Sequence, residues 1–223
     1  PASGFYTFLV RSDEDGTNVG PLVSGAPVLE VRDDATSPTT IFTISGASYT
    51  AGTAGSELLV TSNTQISLNA VDSIVNGVAS GIKQLNFKVD GGQFAVSQSS
   101  SFTLFEGSHT IEFQSMDNAG NLETMQSQEV KVDAAAPLST INIGDPKVVF
   151  TSQTVVGRAS LISFNAEDIV TNGVTSRVKS IEYSIDSSTY AHFTTAFTLN
   201  AGPHVVSYWS LDNVGNMETA KSA

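Results

Sequence analysis

Acidic and amide side chains recur at fixed places along this chain, which makes oxygen ligation the first chemistry to consider. Asp117, Asn118, Asn121 and Glu123 fall in the run Asp117-Asn-Ala-Gly-Asn-Leu-Glu123, and the run returns as Asp212-Asn-Val-Gly-Asn-Met-Glu218. Asp72 and Asp168 each close an Ala-x-Asp run, and Asp33, Asp34 and Asp133 stand at two short stops, Asp34-Ala-Thr-Ser-Pro38 and Asp133-Ala-Ala-Ala-Pro137. A hard cation such as calcium takes six to eight oxygen ligands. A junction Asp, a loop Asp and a backbone carbonyl could hold one such ion between two domains. The candidate calcium ligands are Asp34, Asp72, Asp117, Asn118, Asn121, Asp133, Asp168 and Asp212. The competing account is turn chemistry, in which Asp and Asn bond their own backbone. No Asp-x-Asp-x-Asp-Gly loop, the strong signature of a calcium site, occurs.

Other reactive side chains give less. No Gly-x-Ser-x-Gly elbow accompanies the many serines, and no nucleophile with a nearby base is legible, so the chain does not read as an enzyme. His109 and His204 occupy equivalent places at strand starts, too far apart in sequence to form a local ligand pair; with His192 they read as satisfied or solvated side chains. Lys83 and Lys179 are equivalent, but they start strands near loops, a poor setting for an isopeptide crosslink. Trp209 is the single tryptophan. By alternation it points away from Tyr208, where it could serve as a sugar platform or an interface anchor, with Tyr190 and Tyr183 near it; partial burial under a neighbouring loop is the competing account.

The elements that must position these residues are strands. His109-Thr-Ile-Glu-Phe-Gln-Ser-Met116 and His204-Val-Val-Ser-Tyr-Trp-Ser-Leu211 alternate with period two, as a strand with one buried face does. The Asp-Asn-x-Gly-Asn run is then the turn that ends the strand. Gln65 to Ala70 is answered by Leu161 to Ala166, Leu85 to Val89 by Ile181 to Ile185, and Ser101 to Leu104 by Ala196 to Leu199. The pairs Ile111/Val206, Phe113/Tyr208 and Ser115/Ser210 are expected to face a core, and Asp90-Gly91-Gly92 to make a tight hairpin. The runs 72–78 and 168–174 share a loop grammar, read as a structured turn or a recognition loop at one pole. About seven or eight strands in each block is the pattern of an immunoglobulin-like sandwich. The expected fold is therefore all-β, with tandem sandwiches joined by short linkers. Residues 1–34 are expected to be the last two strands of a preceding domain, 35–133 the first repeat, and 134–223 a second repeat cut before its final strand. The chain would then be a piece of a longer polypeptide.

Composition sets bounds on partners. The 223 residues carry a net charge of −12 and no cysteine, which excludes a disulfide framework or thiolate metal site. Nothing here would neutralise phosphates, so neither nucleic acid nor an anionic membrane surface is an expected partner. No apolar run approaches the roughly 20 residues of a membrane-spanning helix.

The combined pattern, Ala-x-Asp, Asn-Gly-Val, Phe-Thr-Leu-x-x-Gly-x-His and Ser-x-Asp-Asn-x-Gly-Asn-x-Glu, resembles the bacterial Ig-like repeats of OmpL47 type. Residues 38–133 and 137–223 carry it, and residues 1–34 resemble the end of a fibronectin type III domain. The resemblance implies an extracellular or cell-surface setting and neighbouring Ig-like domains of the same chain as partners. It implies a structural role, as a rigid stalk or as the subunit of a fibre. The two complementary loose ends add the expectation of self-assembly, with residues 1–34 of one copy completing the strand-deficient end of another. An adhesin-type module binding glycan or protein, and an appendage of a secreted enzyme, are the alternatives it leaves open.

Overall fold

The computed structural model describes residues 34–53, 56–75, 77–97 and 99–223, together with the backbone of β1 (Gly4–Tyr6) and β2 (Leu29–Val31). β1 and β2 pair antiparallel, Gly4 opposite Val31. The run Asp13-Glu-Asp-Gly-Thr-Asn18, which its residue types predict to be a turn, Asp33 and Asn76 lie outside the described residues.

The first block is a sandwich of two sheets. One has the order β3 (Thr39–Ser45), β6 (Gln65–Val71), β9 (Ser99–Phe102); the other joins β4 (Ser48–Ala51), β5 (Glu57–Val60), β11 (Gln126–Val132), β10 (Gly107–Asp117), β7 (Ile82–Val89) and β8 (Ala95–Ser97). All pairings are antiparallel except β5 with β11. The alternation works as expected: Ile66 and Leu68 of the small sheet meet Leu85, Ile111, Phe113, Val130 and Val132 of the large one, all buried. Stacked rings span the gap, Phe42 on Phe113 and Phe87 on Phe102. The strand count exceeds the expectation by β4, which lies in the glycine-punctuated stretch 46–55. Asp90 (φ 52°) and Gly91 (φ 68°) make the hairpin between β7 and β8, the left-handed pair that the twist of such hairpins favours.

The second block repeats this plan with shorter edges. β12 (Leu138–Ile143) pairs β15 (Ile162–Glu167), β13 (Lys147–Val149) pairs β14 (Thr154–Val156), and a sheet runs β17 (Ala191–His192), β16 (Val178–Ile185), β18 (Val206–Asp212), β19 (Lys221–Ser222). Ile162, Phe164, Val206 and Tyr208 form its core, ringed by Tyr183, Phe193 and Phe197. The expected strand 196–199 is reduced to a single bridge, Ile162 to Phe197. Each sandwich is also stapled by a buried acid. Glu123 accepts from the Thr40 amide (2.8 Å) and hydroxyl (2.6 Å) on β3 and from the Ser115 amide (3.0 Å) and hydroxyl (2.9 Å) on β10, so it links the two sheets. Glu218 does the same for Ser139 and Ser210, with Lys221 beside it. The fold is all-β, two Ig-like sandwiches in tandem, and the described residues contain no helix long and apolar enough to cross a membrane.

Candidate metal centres

Three chain segments converge at one pole of each sandwich. In the first block, Asp34 precedes β3, Asp72 follows β6 directly, and Asp117 is the last residue of β10. Each offers a carboxylate oxygen, and these oxygens lie within 4.8 Å of one another; Asp133, Asp168 and Asp212 form the same group in the second block. Asp117, Asp133 and Asp212 are wholly buried, and Asp34 and Asp168 nearly so.

The motif that follows β10 and β18 explains how the carboxylates are aimed. Asp117 Oδ1 accepts the amides of Gly120 (2.7 Å) and Asn121 (2.8 Å). Asn121 Nδ2 donates to Asp117 Oδ2 (2.7 Å) and to the Asp34 carbonyl (2.8 Å), so it ties the loop carboxylate to the junction. Asn216 holds Asp212 and the Asp133 carbonyl in the same way. Asn118 Nδ2 donates to the carbonyls of Ser80 and Gly81, pinning the facing loop. The glycines are needed because Gly120 (φ 97°) and Gly215 (φ 102°) sit in the left-handed region. The asparagines therefore position the carboxylates through their amide nitrogens.

Backbone amides complete the cradle. Ser80 N donates to Asp34 Oδ2 and Ser176 N to Asp133 Oδ2, at 2.7 and 2.6 Å. Gly81 N donates to Asp72 Oδ2, while the Thr175 hydroxyl donates to Asp168 Oδ2. The other oxygen of both residues, Asp72 Oδ1 and Asp168 Oδ1, is buried with no partner, as is the Ser176 hydroxyl. No lysine or arginine pairs with any of the six aspartates among the described residues. Ser80, through its hydroxyl and amide, and then Thr36 hold the Asp34 carboxyl at about 2. Burial pushes Asp212 above the usual carboxylate range against its bonds from Asn216 and Gly215, and the charge of Asp133 adds to the push. Three carboxylates sharing one buried space must share a proton or a cation.

The second group lies at the junction between the blocks. Asp133 N donates to Val60 O of the first block, while its side chain and carbonyl are held by Ser176 and Asn216 of the second. Beside it Leu59 packs with Val174 and Val214, all buried, with Ala51 at the edge. A cleft of about 430 Å³ opens next to this contact, between Tyr49, Glu57 and Lys131 on one side and Thr175 and Arg177 on the other.

The remaining sequence candidates are placed plainly. Trp209 is half-buried and lies 6.0 Å from the ring of Tyr190, which is exposed. Tyr183 belongs to the core around Phe164, on the other face, so it is not part of a surface group with Trp209. Lys83 and Lys179 are exposed, the wrong setting for an isopeptide bond. His109 is fully bonded, Nδ1 to Asp90 Oδ2 (2.7 Å) and Nε2 to the Phe105 carbonyl (2.8 Å). His204 is bonded identically to Asp186 and Asn200. The partners of His204, a carboxylate and a carbonyl, only accept, which favours its protonated ring. The hydrogen bond that His204 donates to Asp186 raises it above the ordinary value, against the opposing push of desolvation. Sequence reasoning missed Ser80, Ser176 and these Asp–His pairs; their recurrence in both blocks was the available signal.

No family model matches this chain, and no curated protein matches it. Among solved structures the chain is similar to the fibronectin(III)-like modules of CbhA from Clostridium thermocellum, at 14% identity over 82% of this chain and 91% of theirs, with a TM-score of 0.40. That likeness is remote, and the fold described above stands on its own strands and cores.

Proposed function

We propose that this chain is a structural run of Ig-like domains, divided at 35–133 and 134–223 after a strand pair within 1–34, in a longer secreted or cell-surface protein. It acts as a rigid, non-catalytic stalk or as a fibre subunit. The OmpL47-type motifs support the extracellular setting. One observation carries the mechanical reading: Leu59, only 2% exposed, is buried together with Val174 and Val214 of the next block, across a linker too short to let them swing apart. A shared apolar contact flanked by backbone bonds makes the joint stiff, whereas domains that touch through little surface move freely.

Internal repetition extends the argument. Thr64 and Ser160 cap equivalent turns, bonding the Ala47 and Pro146 carbonyls. Five residues before each, Leu59 answers to Val155, and strand register carries the match across the hairpin: Tyr49 faces Leu59 as Val148 faces Val155, and Ala51 faces Glu57 as Phe150 faces Gln153. Val155, Phe150 and Val148 are 51%, 53% and 57% exposed. The hairpin that seats the second block on the first is thus offered, bare, by the second block. Its occupant in this reading is the triad pole of a further repeat, in the same chain or another copy. Such head-to-tail contacts generate filaments when the rotation does not close. Strand addition by residues 1–34 of another copy along β18, beyond the short β19, is the second route to a fibre.

The test is a distance across the joint. The chain has no cysteine, so Thr43→Cys with Thr195→Cys places one spin label on each block at exposed positions. A stalk gives one narrow distance distribution; a broad or bimodal one refutes it. A second reading, glycan or protein binding, has Trp209 beside Tyr190 in its favour, and loss of array binding on Trp209→Ala would select it.

A further inference from the structure

We propose that each aspartate triad is a calcium site, one per repeat, formed by Asp34, Asp72 and Asp117 and by Asp133, Asp168 and Asp212. This deepens the stalk reading by supplying the joint with a ligand, but the binding does not depend on that role. The cluster of acids alone would not carry it. The deciding observation is that Asp168, more than nine-tenths buried, keeps one carboxylate oxygen without any partner while its other oxygen takes the Thr175 hydroxyl. The equivalent oxygen of Asp72 is orphaned in the same way. An unsatisfied buried polar atom is costly, and the same atom is left unsatisfied at the same place in two diverged repeats. Beside it in the second block only the Ser176 hydroxyl is likewise without a partner among the described residues.

The donor chemistry selects the ion. Three hard oxygens that all lie within 4.8 Å of one another can reach a single Ca²⁺, whose bonds of about 2.3–2.6 Å allow ligand pairs up to about 5.2 Å apart. Mg²⁺ would draw opposite oxygens to about 4.0–4.2 Å and demands a near-ideal octahedron. Zinc favours nitrogen and sulfur, and neither lies in the set. Three carboxylates offer one oxygen each at least. The Ser176 hydroxyl, buried, unpartnered and one bond path from Asp133 through its own amide, is placed to add a ligand in the second site. Water or second carboxylate oxygens complete six to eight. The affinity expected of such an extracellular module is about 10⁻⁴ M.

The location gives the ion work to do. Asp133 is the residue that leaves β11 and enters the second block, so an ion on its carboxylate ties the linker to both Asp168 and Asp212. Asp34 stands in the same relation to the first block. Removing the ion leaves three buried carboxylates facing one another across the joint.

The experiment is calorimetric titration of CaCl₂ into the chelator-treated 223-residue chain, with MgCl₂ as the competing probe. The expected result is two sites, not displaced by a tenfold excess of Mg²⁺. Asp168→Asn and Asp72→Asn, each keeping shape and an acceptor, reduce the count from two to one. The two variants sit in different blocks, so failure of one to fold leaves the other to read the same outcome. No heat up to 10 mM Ca²⁺, or a count unchanged by both variants, overturns the proposal. If binding fails while the spin-label distance stays narrow, the stalk reading survives alone; if binding holds and the distance is broad, only the stalk reading falls.

Discussion

Leu59→Ala isolates the contact on which the stalk reading depends. The substitution removes three carbons from a side chain that is 2% exposed. At about 0.8 kcal/mol per buried methylene the transfer loss is about 2.4 kcal/mol. Leu→Ala changes in full cores cost about 2–5 kcal/mol, the excess being the cavity left behind. Here the cluster is small, Leu59 with Val174 and Val214 and an edge contributed by Ala51. It lies beside an open cleft, so water and side chains can collapse into the gap. The loss should therefore sit near the lower end, about 2–3 kcal/mol. Much of that energy belongs to the joint and not to either sandwich, and a double-mutant cycle measures how much. Val214→Ala alone removes two carbons, about 1.6 kcal/mol by the same coefficient. If Leu59 and Val214 pack on each other across the blocks, the double variant loses less than the sum of the singles, by about 1 kcal/mol. Scanning calorimetry of the four proteins supplies the cycle, with each variant's spin-label distance as a second reading. Singles that add to within about 0.3 kcal/mol, in proteins with unchanged distance distributions, would show that the blocks fold without reference to each other.

Four further outcomes are expected. Glu123→Ala strips the acceptor from two buried amides and two hydroxyls, which at about 1–3 kcal/mol for each orphaned group lowers stability by at least about 3 kcal/mol in urea titration; a loss under about 1 kcal/mol would mean the staple is dispensable. His204 titrates above the ordinary 6.5 because Asp186 bonds it, so the pair's stabilisation is complete below that pH and disappears as pH rises through the raised value; Asp186→Asn, followed by NMR of the imidazole, should bring the midpoint back down. Ala119→Cys and Val155→Cys, mixed as single variants under mild oxidation, should crosslink to each other in preference to themselves if the pole of one copy seats on the bare hairpin of another; statistical pairing refutes that surface. Gly120→Ala forces a side chain into φ 97° with open space around it, so its cost is backbone strain of about 1–2 kcal/mol, and chemical denaturation should show no larger loss.

How much of this was legible in the residues differs by layer. The cores were, because period-two alternation needs no tertiary knowledge: Ile66, Leu68, Leu85 and Ile111 fall inward at every second place and are buried. β4 was not, since Ser48-Tyr-Thr-Ala51 is exposed for most of its length and carries no apolar stripe; pairing with β5 alone makes it a strand. Glu123 was read as a loop acid, because a carboxylate is rarely fully buried. The contrary signal was the inward-facing serine of each block, Ser115 and Ser210, which had to have a partner. The triads were half-legible. Recurrence singled out all six aspartates, but only the sandwich topology brings the ends of β6 and β10 to the residue before β3. The asparagines were expected to adopt turn conformations or supply ligand oxygen; they serve through their amide hydrogens, which no propensity predicts.

The same residue serves both the fold and the joint, and that bears on how such a chain can be tuned. Asp133 bonds Val60 of one block through its amide and Ser176 and Asn216 of the next through its carboxylate and carbonyl. Anything that occupies the triad therefore acts on the linker without passing through either core. Leu59 acts on the same linker from the apolar side, one residue before Val60. A variant that weakens the core of a sandwich, such as Ile162→Ala, should lower the melting point of its own block and leave the angle between blocks intact until it unfolds. A variant at Asp133, Leu59 or Val214 should do the reverse, loosening the angle at temperatures where both sandwiches remain folded. Stability and stiffness are thus set by separate residues, which allows repeats to diverge in their cores while keeping the Asp-Asn-x-Gly-Asn corner that fixes how they stack.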